Sequence, residues 1–365
     1  VKDVDGNIYI DLTGGWHAAS TGHCHPRVVQ SIQEQIGKLI NAAGWATELR
    51  YKAAEKMVSV CPSPLEKCIF GTTGTDAVEL GIKMARRFTK KHDIISLHTH
   101  FHGRGYAAGA ASGARCINKD FGPYPSGFLY APSPYCYYCS FKQEYPDCGL
   151  LCVDYLEDVI NHESDYDVAA VILETWARDG GTPKGYLSKL KKLCEKHGIL
   201  LIADEITCGT GRTGKWWYCD HENVVPDILL AAKGITSAFP GSVVVSRSEL
   251  VDKMPPSCFT TSYSTNPISF AAMIATIDVM KEEKIVENAA KVGDYISKRL
   301  HEMQEEHELI GFVNSKGMEI YIEFVSDRKT KKKAMLEMAR ILRIAYERGI
   351  LTYGSGWFTP PNVLT

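Results

Sequence analysis

The sequence predicts an α/β protein built on a large, mainly parallel sheet, with a smaller α+β domain beside it. Three observations lead there. Between about residues 68 and 246, short apolar runs alternate with helical patterns, as strand–helix–strand units do. Several of those runs, such as "DVAAVILET" and "ILLIADE", are continuously apolar, as expected of strands covered on both faces. After about residue 268 the pattern changes to long amphipathic helices flanking one strand, "MEIYIEFVS".

Taken in order, "VKDVDGNIYIDLTGG" reads as a hairpin around an Asp5-Gly6 turn. Helical periodicity follows Pro26, with Val28, Val29, Ile32, Ile36 and Ile40 on one face. "KCIFGTTGT" is a short strand leading to a helix from Asp76, and "HDIISLHT" is strand-like. "YLSKLKKLCEKHG" is a helix, followed by the strands "ILLIADE", "PDILLAAK" and "GSVVVS". The segments "AAMIATIDVMKEEKIVENAAKVGDYISKRLHEMQ" and "KKAMLEMARILRIAYERG" supply the late amphipathic helices. The chain is divided accordingly into an N-terminal segment of the small domain (1–40), a large domain (41–267) and a C-terminal small α+β domain (268–365). A first residue that is Val1 and an abrupt stop after Thr365 suggest a fragment lacking both termini, with the small domain truncated.

The 365 residues are 45% hydrophobic and 23% charged, with a net charge of -2, which gives no electrostatic case for nucleic acid or an anionic membrane as partner. No apolar run reaches the roughly 18–20 residues of a membrane span, and no signal-peptide pattern opens the chain. A cytoplasmic location is expected, and the twelve cysteines are then read as thiols, mostly core residues such as Cys194. The lysines of "DRKTKKKA" read as a solvated turn.

Four features carry chemistry. Gly209–Gly214 matches G-x-G-x-x-G, but Asp204 to Cys208 separate it from the strand and "KWWYCDHE" opens no helix, so a dinucleotide site is a weak reading. In "GTTGTDAVELGIKMARR", Thr73, Gly74 and Thr75 stand at a helix start, where free N–H groups favour a phosphate; an ordinary threonine cap explains them equally well. Asp204 and Glu205 end a buried strand, where an unpaired charge is expensive. Lys233 directly follows the strand "PDILLAA", in surroundings that favour a neutral, nucleophilic amine. A phosphate cradle, a strand-end carboxylate and a strand-end lysine together are what pyridoxal phosphate requires.

With these residues in view, "GHCHP", "GTTGTDAVELGIKMAR", "HFHGR", "ADEITCGTGRTG", "PDILLAAKGI" and "TTSYSTNP" resemble the class III aminotransferases, enzymes of the aspartate aminotransferase fold (fold type I), in order along nearly the whole chain. Within that class the look is nearest to the 2,2-dialkylglycine decarboxylase and 4-aminobutyrate aminotransferase branch. The resemblance implies that Lys233 forms the Schiff base with pyridoxal 5'-phosphate and shuttles the proton at the substrate α-carbon, while Asp204 pairs with the ring nitrogen. Ile206 and Phe101 would cover the two ring faces, and Thr73, Gly74 and Thr75 would hold the phosphate. His102 and Glu174 would complete the cofactor pocket, and Ser262 would reach the partner subunit's phosphate. A homodimer, or a dimer of dimers, with shared active sites follows from the same likeness.

The sequence also departs from that family. Thr207 stands where a glutamine usually hydrogen-bonds the cofactor's phenolic oxygen. Trp357 occupies the place of the arginine that clamps the substrate α-carboxylate, and indole cannot form that fork. Arg178 could substitute for it, Asp179 stands where relatives carry glutamate or serine, and Trp16 is a further substrate candidate. Alternatively the substrate lacks an α-carboxylate. Cys136, Cys139, Cys148 and Cys152 have metal-site spacing, for zinc or an iron–sulfur cluster, and some relatives of 4-aminobutyrate aminotransferase carry such a cluster; a plain surface loop, reduced or disulfide-bonded, is the other reading. The histidines of "HTHFH" fall on one strand face, and further ligands are lacking.

The expected activity is transfer of an amino group from an amino acid or amine to a 2-oxo acid. A decarboxylating transaminase and an amino-acid racemase on the same scaffold are the alternatives. Outside the class stand a nicotinamide-dependent oxidoreductase and a non-catalytic binding protein.

Overall fold

Six of the expected strands, joined by Phe128–Ala131, where none was expected, become one sheet in the computed structural model, which describes residues 1–114, 118–177, 180–259, 261–354 and 362–365. The strands are β1 (Lys67–Gly71), β2 (Asp93–Leu97), β3 (Phe128–Ala131), β4 (Val168–Glu174), β5 (Leu200–Asp204), β6 (Ile228–Ala231) and β7 (Ser242–Ser246). Their order is β1-β7-β6-β5-β4-β2-β3. All pairings from β6 to β3 are parallel, and β7 runs antiparallel to both β6 and β1. Every residue of β4, β5, β6 and β7 is buried, which is why these segments show no polar alternation. The carboxyl ends of β1, β2, β4, β5 and β6 therefore share one edge of the sheet, the edge where open α/β sheets place ligands.

The helix after β1, Gly74–Thr89, starts two residues earlier than expected because Thr73 and Asp76 cap it reciprocally. Thr73 Oγ1 accepts from the Asp76 N–H at 3.2 Å, and the Asp76 carboxylate accepts from the N–H groups of Thr72 and Thr73 at 2.9 Å each. Val78, Ile82 and Ala85 face the sheet from this helix and join a core that includes Ile94, Ile202 and Leu230. The other face is covered by Leu151–His162, where no element was expected, and by the expected helix Tyr186–His197.

Elsewhere the outcome is mixed. Lys2 and Ile8 bridge around Gly6 as a hairpin should, yet Ile10–Asp11 leaves it to pair in parallel with Ile350–Leu351. The helix Pro26–Ile36 buries Val28 and half-buries Val29 and Ile32, but Ile36 and Ile40 are exposed at 52% and 60%, so the far end of the expected apolar face is not covered among the described residues. The late helical run breaks at Lys284, whose φ is 52°, into Pro267–Glu282 and Ile285–Glu306. The first of these is buried almost all round, against Pro26–Ile36 and Glu48–Val58, and is not amphipathic. The small sheet consists of Ile310–Lys316, Glu319–Asp327, Lys332–Lys333 and Val363–Leu364, all antiparallel.

Lys331, expected in a solvated turn, instead donates to the Tyr137 carbonyl at 2.5 Å and lies over the Tyr137 ring. It ties the loop that carries Cys136 and Cys139 to the small sheet. Among the described residues, no helix is long and apolar enough to cross a membrane.

Candidate active site

The edge formed by the strand ends borders a cavity of about 360 Å³. Thr72–Thr75 close it from the end of β1, Phe101–Arg104 from the end of β2, and Asp204, Ile206 and Thr207 from the end of β5. Ala232 and Lys233 reach it from the end of β6. Segments far apart in sequence meet here because each strand stops at the same level of the sheet.

The two adjacent acids part company at this edge. Asp204 enters the cavity wall and is 3% exposed. One of its oxygens accepts from His102 Nδ1 at 2.7 Å and the other from the Ile206 N–H at 3.1 Å. Glu205 turns the other way and accepts from the N–H groups of Tyr218 and Cys219 at 2.9 Å each. Burial pushes the Glu205 pKa up, and those two amide donors oppose the shift. Glu205 thus anchors the "GTGRTGKWWYC" segment, in which no α-helix starts and only the short 3-10 turn Tyr218–His221 follows the glycines; the structure gives the dinucleotide reading no support.

Lys233 stands two residues past β6 with φ at 50°, a left-handed conformation that costs a non-glycine residue roughly 1 kcal/mol. Its Nζ donates to Thr207 Oγ1 at 2.9 Å. Glu174, 4% exposed, is absent from the cavity lining and stands behind it: its carboxylate accepts the Phe101 N–H at 2.8 Å, and its own N–H donates to His100 Nδ1 at 3.0 Å. His100 is wholly buried and burial holds it well below the ordinary histidine pKa, so it works as a neutral acceptor. The three histidines of "HTHFH" therefore do not share a strand face; β2 stops at Leu97, ahead of them.

Whether this wall suits a phosphorylated pyridine aldehyde can be tested on its own atoms. The helix Gly74–Thr89 presents its first N–H groups to the cavity. Thr72 Oγ1 is buried without a hydrogen-bond partner beside them. A methyl on Gly74 would lie 3.2 Å from Ile206 Cγ2, and one on Gly103 (φ 132°) only 2.7 Å from Thr75 Oγ1. Bare backbone, an orphaned hydroxyl, flat apolar walls, a buried carboxylate and an amine are the donor set such a group needs. The residues fit it.

Of the remaining sequence candidates, Ser262 is exposed and outside this cavity, its carbonyl held by Asn41 Nδ2 at 2.9 Å. Trp16 is 47% exposed, with its ring edge on Tyr353. Arg178, Asp179 and Trp357 lie outside the described residues. Cys136, Cys139, Cys148 and Cys152 border one small pocket, but no three metal-ligating groups among the described residues stand close enough to hold an ion; the zinc or iron–sulfur expectation finds no support. Their spacing reflects a loop that folds on itself rather than a formed ligand set. All cysteines among the described residues are free thiols. Arg104, inside the quoted "HFHGR", and Thr72 also line the cavity, although neither was assigned a role from the sequence.

Comparison with known proteins identifies the fold and the family. The chain superposes over its whole length on a thermostable (S)-enantioselective omega-transaminase from Thermomicrobium roseum, with a TM-score of 0.92 at 27% identity, covering 84% of that structure. The architecture is that of the fold type I pyridoxal-phosphate transferases. Residues 1–365 match the family model of class III aminotransferases, and the chain belongs to that family. It is 35% identical over 358 residues to leucine/methionine racemase of Thermococcus litoralis, covering 96% of this chain and 81% of that protein. It is also 32% identical over 365 residues to 5-aminovalerate aminotransferase DavT of Pseudomonas aeruginosa, covering 98% and 84%. The chain is an enzyme of the aminotransferase class, and pyridoxal phosphate is the cofactor expected of it.

Proposed function

We propose that the enzyme moves an amino group from a carboxylate-bearing amino donor to a 2-oxo acid, with pyridoxal phosphate held on Lys233. The observation that carries this reading is the meeting, on one cavity, of the Lys233 amine, the buried Asp204 carboxylate and the helix start at Gly74. When bound, the cofactor supplies an electron sink for bonds at the substrate α-carbon. Asp204, oriented by His102, would keep the ring nitrogen protonated. Gly74, Thr75 and the Thr72 hydroxyl would hold the phosphate, with Thr73 capping the helix behind them. Phe101 and Ile206 would cover the ring faces and exclude water. Thr207 would hold the phenolic oxygen, and Lys233 Nζ would carry the proton at the α-carbon.

Arg104 is the only arginine among the described lining residues, which supports a role in binding the donor's carboxylate. The test is a panel of amino acids beside a carboxylate-free amine. Arg104→Ala should raise KM about 10- to 100-fold for carboxylate donors alone, the worth of a charge-assisted pair. An unchanged KM would remove Arg104 from the substrate site.

A second copy of the chain is expected to cover the exposed Leu39, Ile40, Trp45 and Tyr263, which are drawn together by the Asn41–Ser262 contact and by the Gly44 N–H on Thr265 Oγ1 at 2.9 Å. Ser262 would then reach the neighbouring phosphate. The buried thiols Cys194, Cys208 and Cys219 support a reducing, cytoplasmic setting. A racemase of the same scaffold is the second reading, favoured by the likeness to leucine/methionine racemase and by a half-buried histidine next to the cavity-lining Ala18.

A further inference from the structure

That histidine is His17, in the turn Gly14–His17 whose last residue precedes the cavity-lining Ala18. The turn is held in left-handed geometry through Gly14, Gly15, Trp16 and His17, with φ of 54°, 59°, 63° and 61°. Such a run of non-glycine strain persists only where the surroundings fix it. They do: His17 Nδ1 lies 2.9 Å from Glu319 Oε1, and Arg212 Nε approaches the same oxygen at 3.5 Å. Glu319 is 5% exposed and follows a tight turn whose Met318 N–H donates to the Arg212 carbonyl at 2.8 Å. A buried carboxylate of this kind demands donors, and His17 is one of them.

The charge balance fixes what His17 can do. Burial holds its pKa below the usual histidine value; Glu319 opposes this, while the Arg212 and Lys233 charges reinforce it. A neutral imidazole whose Nδ1–H is given to a carboxylate keeps Nε2 as a proton acceptor. Nε2 has no hydrogen-bond partner among the described residues, and the side chain is 14% exposed. A carboxylate-oriented histidine is a general base of familiar construction, and here it directly precedes Ala18, which lines the cavity that Lys233 enters.

We propose that His17, oriented by Glu319, is a second acid–base residue of this site, giving the enzyme α-carbon epimerisation of α-amino acids beside amino transfer. The inference rests on the reading of Lys233 given above. In the step, one of the two bases would take the proton from the Cα–H bond, whose electron pair the cofactor's electron sink would accept. The other base returns a proton to the opposite face and re-forms the bond. Nothing is oxidised or reduced, and the product is the mirror-image amino acid.

The test uses the full chain loaded with pyridoxal phosphate. Nitrogen NMR of histidine-labelled protein should show one imidazole, absent from His17→Gln, neutral with its proton on Nδ1 at neutral pH; a charged ring or the Nε2–H tautomer overturns the proposal. In D₂O, an L-amino acid without oxo-acid acceptor should yield the deuterated D-enantiomer. The ratio of enantiomer formed to amino group transferred should fall about 100-fold or more in His17→Gln, the worth of a general acid–base group. Glu319→Gln, which keeps an acceptor for Nδ1–H, should fall between. Wild-type protein that transfers the amino group but makes no D-enantiomer, or a ratio unchanged in His17→Gln, overturns the proposal and leaves the transferase reading intact. Lys233→Ala that still does both would overturn the two together.

Discussion

Replacing Asp204 by Asn changes one charge and almost no volume. Its two oxygens accept from His102 Nδ1 at 2.7 Å and the Ile206 N–H at 3.1 Å, and the group is nearly sealed from water. A hydrogen bond to a charged group contributes about 1.5–3 kcal/mol against about 1 for a neutral one, so the substitution should remove about 1–2 kcal/mol from the grip on a protonated ring nitrogen. That corresponds to a cofactor Kd raised about 5- to 30-fold. The assay is fluorescence titration of stripped protein with pyridoxal phosphate. Glu205→Gln is the matched control, one residue away but turned to the Tyr218 and Cys219 amides. It should lower stability by about 1–3 kcal/mol and leave the Kd of the folded fraction alone. If Glu205→Gln weakened cofactor binding and Asp204→Asn did not, the assignment of the two acids would be wrong.

Two further predictions concern the frame around the site. Gly317 has φ 56°, and a methyl there would lie 2.4 Å from the Thr213 carbonyl carbon, so Gly317→Ala should cost at least about 2 kcal/mol in urea unfolding; an unshifted midpoint would contradict the close approach of the two turns. His221 Nε2 sits 3.1 Å from the Thr213 carbonyl, and burial with the neighbouring Lys316 and Lys215 charges pushes its pKa down to about 4 from 6.5. A depressed folded-state pKa contributes stability that is fully present above pH 6.5 and lost as pH falls through that value towards 4. The urea midpoint of the wild type should therefore drop further than that of His221→Gln between about pH 7.5 and about pH 5. Parallel drops would mean that His221 titrates normally.

The strands were legible because burial on both faces leaves continuous apolar runs, as in Val168–Glu174 and Leu200–Asp204. Lys233, Asp204 and Gly74 could be picked out because each follows or ends such a run. What the linear pattern hides is direction and partnership. Asp204 and Glu205 look alike on paper, and only the local turn after β5 sends one to the cavity and the other to the Tyr218 amides. Periodicity marks Ile36 and Ile40 as apolar but cannot say that they stay exposed among the described residues. Glu319 and His17 are 302 residues apart, and neither carries a local signal for the other. The four cysteines show the converse: spacing alone offered a metal site that the folded loop does not assemble.

Attachment of the cofactor at Lys233 is the central claim about this enzyme. Reduction of the loaded protein with borohydride, followed by digestion and mass mapping, should find the pyridoxyl mass on the peptide containing "ILLAAKGITSAF", at Lys233, and nowhere in Lys233→Ala. A label on any other lysine, or none in a wild-type protein that still transfers amino groups, would contradict it.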